Sequence, residues 1–227
     1  MSVTACGDDF TYESRVREWA RDVLLGVEFG DPTPISRRWA QAPTISLMAG
    51  NGEHSVLVND VVAELNRFLE PVFEPVERIQ DDSDGADVRV YFVDLDRFDD
   101  IARRENTIVV PDNLGQFYIR WDETQTIFDA VVLIARDRLQ GALLRHLVYE
   151  EITQALGPLN DSAFFQDSIF FSASGSDGTA QRLSPEDRWL LQFLYRDLNP
   201  GASVTDLRRA LDARLPAALQ GCDRLGC

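Results

Sequence analysis

The sequence lacks lysine altogether, and it has only two histidines among its 227 residues. A serine nucleophile would need His54 or His146 as its base, and no nucleophile-elbow motif surrounds any serine. No glycine-rich loop of the kind that cradles phosphate groups is present either. These absences leave serine hydrolases and phosphate-loop nucleotide enzymes without support.

Long apolar runs and positive charge are also missing. No stretch approaches the roughly 20 apolar residues that a membrane-spanning helix needs. The 22 basic residues are all arginine and face 38 acidic ones, for a formal net charge of −16. Nucleic acids and anionic membrane surfaces would meet repulsion rather than a basic patch, so we expect no nucleic-acid partner.

Three cysteines are present, and the first lies in a pattern typical of bacterial lipoproteins. Small residues precede Cys6 in Val3-Thr4-Ala5-Cys6, and a polar tether follows it. We therefore expect lipid attachment at Cys6, a membrane anchor as one partner, and a periplasmic or cell-envelope location. Residues 1–10 are then the remnant of a lipoprotein signal with its tether, and the signal peptide proper would precede them. A cytoplasmic protein is the alternative if Met1 is the genuine start.

The other two cysteines, Cys222 and Cys227, flank a glycine-containing turn near the C-terminus. They are close enough in sequence to form a small disulfide ring in an oxidising compartment. The predicted disulfide agrees with export.

The pattern of apolar residues predicts a single α/β (α+β) domain over residues 11–227, with a mixed sheet packed on helices. Residues 11–157 contain the sheet, and residues 158–227 form a helical C-terminal part. Helices are predicted at 12–29, 56–72, 97–104, 139–156, 184–198 and 205–219, and strands at 44–48, 76–79, 88–93, 116–121 and 128–135.

The helix at 139–156 has two contrasting faces. One face is apolar and should pack against the sheet, whereas the opposite face bears His146, Glu150 and Gln154. Leu143 and Leu147 flank this polar stripe, and Glu151 lies at its border with the buried side. Carboxylates in such surroundings indicate a partly enclosed cleft.

The segment from Glu150 to Gly157, with the following Asn160-Asp161, resembles the metzincin zinc-peptidase helix HExxHxxGxxH. Glu150, Gln154 and Asn160 stand where the three zinc histidines would be. Glu151 keeps the position of the general base, and Asp161 matches an additional aspartate of some relatives. The resemblance implies a zincin-like fold with a degenerate metal site.

The sequence also resembles the domain-of-unknown-function family 2927, a bacterial family with an EExxQxLG segment followed by Asn-Asp. The resemblance rests on Glu150 to Gly157, Asn160 to Ser162, Ser168-Ile169-Phe170 and residues 183–195 with their Pro-Glu-Asp-Arg. It implies a lipoprotein and supplies no reaction.

Two hypotheses in which this helix has an enzymatic role remain open. His146 and Glu150 are four residues apart and could share one ion with Asp161, giving an oxygen-rich site that suits calcium, magnesium or manganese better than zinc. In this reading a divalent metal is the cofactor, and Glu151 is the general base of a peptidase-like hydrolase. A metal-free carboxylate pair, as in glycoside cleavage, is disfavoured because adjacent helical residues point about 100° apart.

The favoured hypothesis assigns this helix a role that is not enzymatic. Glu150, Gln154, Asn160 and Asp161 would form a hydrogen-bonded polar site, inherited from a peptidase, in a protein with a binding or assembly role in the cell envelope. An envelope protein, a peptide or a glycan would be its partner.

Overall fold

A computed structural model describes residues 11–28, 33–173, 176–220 and 223–225. Cys6, Cys222 and Cys227 lie outside these residues, as does the lipoprotein pattern around Cys6. The expected lipid attachment and the expected disulfide therefore stay predictions.

The described residues form the mixed α/β arrangement that the sequence predicts. The helices are α1 (Tyr12–Leu25), α2 (Gly52–Leu69), α3 (Phe98–Glu105), α4 (Gly141–Gln154), α5 (Pro185–Asp197) and α6 (Val204–Ala218). The strands are β1 (Arg38–Trp39), β2 (Thr44–Ala49), β3 (Glu77–Arg78), β4 (Val88–Val93), β5 (Gly115–Trp121), β6 (Thr126–Ala135), β7 (Ser172–Ala173) and β8 (Ser176–Asp177). None of the described helices is long and apolar enough to cross a bilayer.

Several predicted boundaries are shifted. α1 ends at Leu25, four residues before the predicted end at Phe29. α2 begins at Gly52 rather than Val56, because the side chain of Asn51 accepts hydrogen bonds from the first turn and caps the helix. The C-terminal part is not purely helical, since β7 and β8 pair there as a small antiparallel ribbon.

Six of the described strands form one sheet, in which β1, β6, β4, β2 and β3 follow one another and β5 joins β6. All these neighbours are parallel except β5 and β6, which are antiparallel. Residues 130–134 of β6 pair with β4 and with β5 at once, so these two strands lie on opposite sides of β6. Within the described chain β5 is thus an edge strand.

Alternate residues of the central strands face two cores of different size. Val88, Val90 and Phe92 of β4 belong to the large core, which is shared with the other helices, whereas Tyr91 faces a smaller one with Phe98 of α3. Almost all helical packing is therefore on one face of the sheet, where α4 lies.

Candidate functional site

α4 owes its place to its apolar side. Val148 and Ile152 are fully buried in the large core. The helix ends before Gly157, whose φ of +127° suits glycine and whose Cα lies close to the carbonyl of Arg37. Packing on one side and this abrupt end fix which residues the other side of α4 presents.

A cavity of about 270 Å³ lies along that other side of α4. Its walls come from the end of the α1 segment, the loop before β5, α4 itself, the residue after Asn160, and both flanks of the β7–β8 ribbon. The lining residues are Glu28, Asp112, Asn113, Leu114, Gly115, Leu143, His146, Leu147, Glu150, Glu151, Gln154, Asp161, Phe171, Ser172 and Gly178.

The cavity is strongly acidic. Five of its lining residues are carboxylates, and no arginine is among the described residues that line it. The carboxylates are Glu28, Asp112, Glu150, Glu151 and Asp161. Like charges gathered in an enclosed space favour protonation or a cationic partner.

Glu151 is the most constrained of these carboxylates. Glu151 is only 5% exposed, and its Oε2 atom is buried with no hydrogen-bond partner. Burial, together with the negative charges of Glu28 and Asp161, raises the pKa of Glu151 well above its ordinary value. A buried carboxyl oxygen without a partner is energetically costly, and a hydrogen-bond donor in the cavity would lower that cost.

Glu28 and Asp161 extend the same electrostatic effect. Desolvation and the charge of Asp161 raise the pKa of Glu28 to about 7. Glu28 as a residue remains exposed, so solvent screens part of this effect. The exposed carboxyl group of Glu28 therefore lies where the cavity opens to solvent.

His146 connects α4 to the segment after the β7–β8 ribbon. It is 1% exposed, and its Nδ1 atom lies 2.6 Å from the carbonyl oxygen of Ala180. A carbonyl only accepts, so Nδ1 bears the proton and donates it. Nε2 then faces Oε2 of Glu150 at 3.5 Å, a contact that one further proton would turn into an ion pair. Gly178 makes this packing feasible, because a Cβ there would stand 2.6 Å from Cε1 of His146.

Gln154 and Asp161 meet at the far end of the cavity, where the Gln154 amide donates to the Asp161 carboxylate over 2.9 Å. Asn160 does not join them. Its side-chain amide donates instead to the carbonyls of Asp22 and Asp161, since the loop after α4 packs against the end of α1. The four residues of the predicted polar site are thus divided between the cavity and the α1 contact.

The described residues include no group of three or more His, Cys, Asp or Glu side chains arranged to hold a metal ion. Of the predicted ligands, His146 and Glu150 face each other, whereas Asp161 accepts from Gln154 one turn further along α4. His146 also commits its Nδ1 atom to Ala180. In this conformation the three predicted ligands are therefore not gathered around one point, and we derive no chemical step through a metal.

Sequence reasoning missed the walls of the cavity opposite α4. Glu28, Asp112, Gly115 and Gly178 come from separate segments, and only the fold brings them together. Gly115, at the start of a strand, was the one available signal, because glycine in a strand marks a close approach. Here it is the Glu151 carboxyl that approaches: a Cβ at position 115 would stand 2.7 Å from Oε1.

The fold and the site define an α/β protein with an enclosed acidic cleft along one central helix. The chain belongs to the domain-of-unknown-function family 2927, as the sequence predicted: the family profile, described as "Protein of unknown function (DUF2927)", matches residues 14–213. Every residue that lines the cavity falls within this range. No curated protein matches the chain.

Proposed function

We propose that this chain is a binding protein whose acidic cleft holds a cationic group of its ligand. One observation supports this above the others: Oε2 of Glu151 is buried without a partner in a cavity that four other carboxylates line. An ammonium or guanidinium group would supply N–H donors and the missing positive charge together.

The size of the cavity limits what enters it. About 270 Å³ accommodates a single side chain or a small amine and is at the low end of small-molecule sites. The cleft would therefore hold one cationic group of a ligand, while the rest of a larger ligand lies outside.

We further propose that the protein acts in the bacterial cell envelope, anchored through Cys6. The support is the Val3-Thr4-Ala5-Cys6 pattern in the sequence. Palmitate labelling of the natural gene product in its own host, beside Cys6→Ser, tests the anchor. Label in the wild type alone is expected, and an unlabelled wild type in the soluble cell fraction would leave the cytoplasmic alternative.

Titration calorimetry with agmatine, cadaverine and guanidinium at pH 7.5 and low salt tests the binding proposal. The expected loss for Glu151→Gln is about 10-fold or more, the usual size of one charge-assisted hydrogen bond. Glu123→Gln, at an exposed turn, is the matched control and should bind as the wild type does. Because its pKa is raised, Glu151 should release a proton on binding, so the heat should vary with the ionisation enthalpy of the buffer.

Two results would overturn the binding proposal. One is that none of the three cations binds the wild type. The other is that Glu151→Gln binds them as tightly as the wild type and Glu123→Gln do.

A metal-dependent hydrolase with Glu151 as general base is the second candidate. It is favoured by one observation, the raised pKa of a carboxyl that faces a cavity. Elemental analysis of protein purified without chelator, beside His146→Ala and Glu150→Ala, decides between the two. One equivalent of metal, lost in both variants, would replace the binding proposal with the hydrolase.

A further inference from the structure

We propose that the cationic group belongs to an extended polypeptide segment that lies along the free edge of β5 and places an apolar side chain in a second groove there. This inference rests on the proposed function, because it assigns the ligand of the same cleft. It adds a partner class and a second contact surface.

The second groove has a volume of about 210 Å³ and is lined mainly by apolar side chains. It is lined by residues 116–119 and Trp121 of β5, by Ile108 and Val110 of the segment before β5, and by Val27 and Leu159. A groove of this size and character suits an aliphatic or aromatic side chain.

The groove follows the edge of the strand rather than one of its faces. Successive strand residues point to opposite faces, so a groove that contacts four consecutive residues must run along the edge between them. In the described chain β5 pairs with β6 alone, so its outer edge has no strand partner. An edge of this kind presents unpaired backbone N–H and C=O groups that match the backbone of another polypeptide.

Ile108 and Val110 are held by the side chain of Gln116, and in the described chain they do not pair with β5 as a strand. The Gln116 side chain accepts a hydrogen bond from the Val110 N–H at 3.0 Å and donates to the Ile108 carbonyl at 2.9 Å. These bonds use a side chain of β5 and leave its backbone available.

The groove and the acidic cleft are neighbours in the chain at two points. Val27 lines the groove and Glu28 the cleft, while Gln116 lines the groove and Gly115 the cleft. Each of the two sites also has an exposed apolar residue at its lining. Ile108, on the groove, is 62% exposed, and Leu143, on the acidic cleft, is 43% exposed. The complementary segment is extended and has a basic side chain a few residues away from an apolar one.

The test uses fluorescein-labelled decapeptides of serine and threonine that contain one arginine and one leucine, two to four residues apart. At the best spacing, the decapeptide that contains both arginine and leucine should bind the full chain at least tenfold tighter than decapeptides that lack either residue. Fluorescence polarisation measures the affinities. N-methylation of alternate backbone amides should abolish that gain, because it blocks pairing with a strand edge.

Ile108→Ser should weaken binding of the decapeptide with both arginine and leucine at least fivefold. It should leave the affinity for the decapeptide with arginine alone unchanged. Val56→Ser is the matched control, since Val56 is a similarly exposed apolar residue, 58% accessible, that lines neither cavity. It should bind both peptides as the wild type does.

The outcomes separate this inference from the proposed function. Agmatine binding without any gain from the leucine, or with Ile108→Ser as tight as Val56→Ser, would overturn the extended segment and leave the cationic cleft standing. Binding of neither agmatine nor any peptide would overturn both. A chitin hexasaccharide that competes for the groove better than the peptide would replace the polypeptide with a glycan.

Discussion

Glu151 rests against Gly115, and the absence of a side chain on the edge strand is what makes room for the carboxyl. A Cβ at position 115 would stand 2.7 Å from Oε1 and 3.1 Å from Cγ of Glu151. The position of the buried carboxyl is therefore set by two elements, the helix that bears it and the strand that lacks a side chain beneath it.

Gly115→Ala should displace the Glu151 carboxyl without unfolding the protein. The atoms that the new methyl meets belong to the end of a flexible side chain, and alanine suits a strand better than glycine by about 0.5–1 kcal/mol. We expect a melting temperature within a few degrees of the wild type and a loss of agmatine affinity of about fivefold or more.

Gly85→Ala is the control, because a Cβ there meets nothing within 4 Å. Calorimetry and thermal unfolding of both variants make the comparison. Unchanged agmatine affinity in Gly115→Ala would contradict a role for the Glu151 position in binding.

Stability should fall as the pH rises from about 4 to about 7. Burial raises the pKa of Asp187 to about 6, the pKa of Glu28 is raised to about 7, and that of Glu151 is raised as well. In this range the folded chain holds protons that the unfolded chain has released, so each pH step upward favours unfolding. Above these raised pKa values the folded chain has released the same protons, and stability falls no further from this cause. Urea unfolding at intervals between pH 4.5 and 8 measures it.

Glu151→Gln isolates one contribution to this slope. The amide does not ionise, so the variant should match the wild type in stability near pH 5 and exceed it at pH 8. Glu123→Gln, at an exposed position, should follow the wild type at both values. Parallel stability curves for wild type and Glu151→Gln would contradict a raised pKa, because they would mean that Glu151 binds its proton equally well in the folded and the unfolded chain.

The central strands were predictable because the apolar pattern of each one lies within a single continuous segment. Residues 88–93 and 128–135 are strongly apolar runs bounded by turns, and both form central strands. β1 was not predictable: it has two residues, Arg38 and Trp39, and exists because they pair with the start of β6 far along the chain. Pairs of such short segments leave no periodic pattern in the sequence.

The site was predictable on α4 and, through the peptidase motif, at Asp161 in the loop that follows it. Spacing along one helix places His146, Glu150 and Gln154 on one stripe, and the cavity lies along it. Alignment to a peptidase motif added Asn160, but the loop after α4 binds the end of α1 through Leu159, whose N–H donates to the Val23 carbonyl at 3.0 Å. That contact turns Asn160 toward α1, and local spacing contains no information about it.

Asp187→Ala should be among the most destabilising single changes. The fully buried Asp187 carboxylate accepts from the Ser168 hydroxyl at 2.6 Å and from the N–H groups of Ile169 and Ser184 at 2.9 and 2.8 Å. Alanine leaves three buried donors without an acceptor, at a cost of about 2–5 kcal/mol. Asp187 belongs to the capping box at the start of α5, and Asp206 holds the same place in the capping box of α6 but is more open to solvent. Asp206→Ala should therefore cost only about 1 kcal/mol. Equal losses in urea unfolding would contradict the importance of burial.

Gly157→Ala should destabilise the end of α4 by about 3 kcal/mol or more. Gly157 has a φ of +127°, where side chains strain the backbone, and a Cβ would stand 2.5 Å from the carbonyl oxygen of Arg37, which is backbone and does not move easily. Gly52→Ala is the opposite case: at the first residue of α2 a Cβ meets nothing within 4 Å, and alanine should stabilise by about 0.5–1 kcal/mol. Chemical unfolding of the two variants should shift the midpoint in opposite directions. A Gly157→Ala variant as stable as the wild type would mean that α4 does not end by this close contact with the chain before β1.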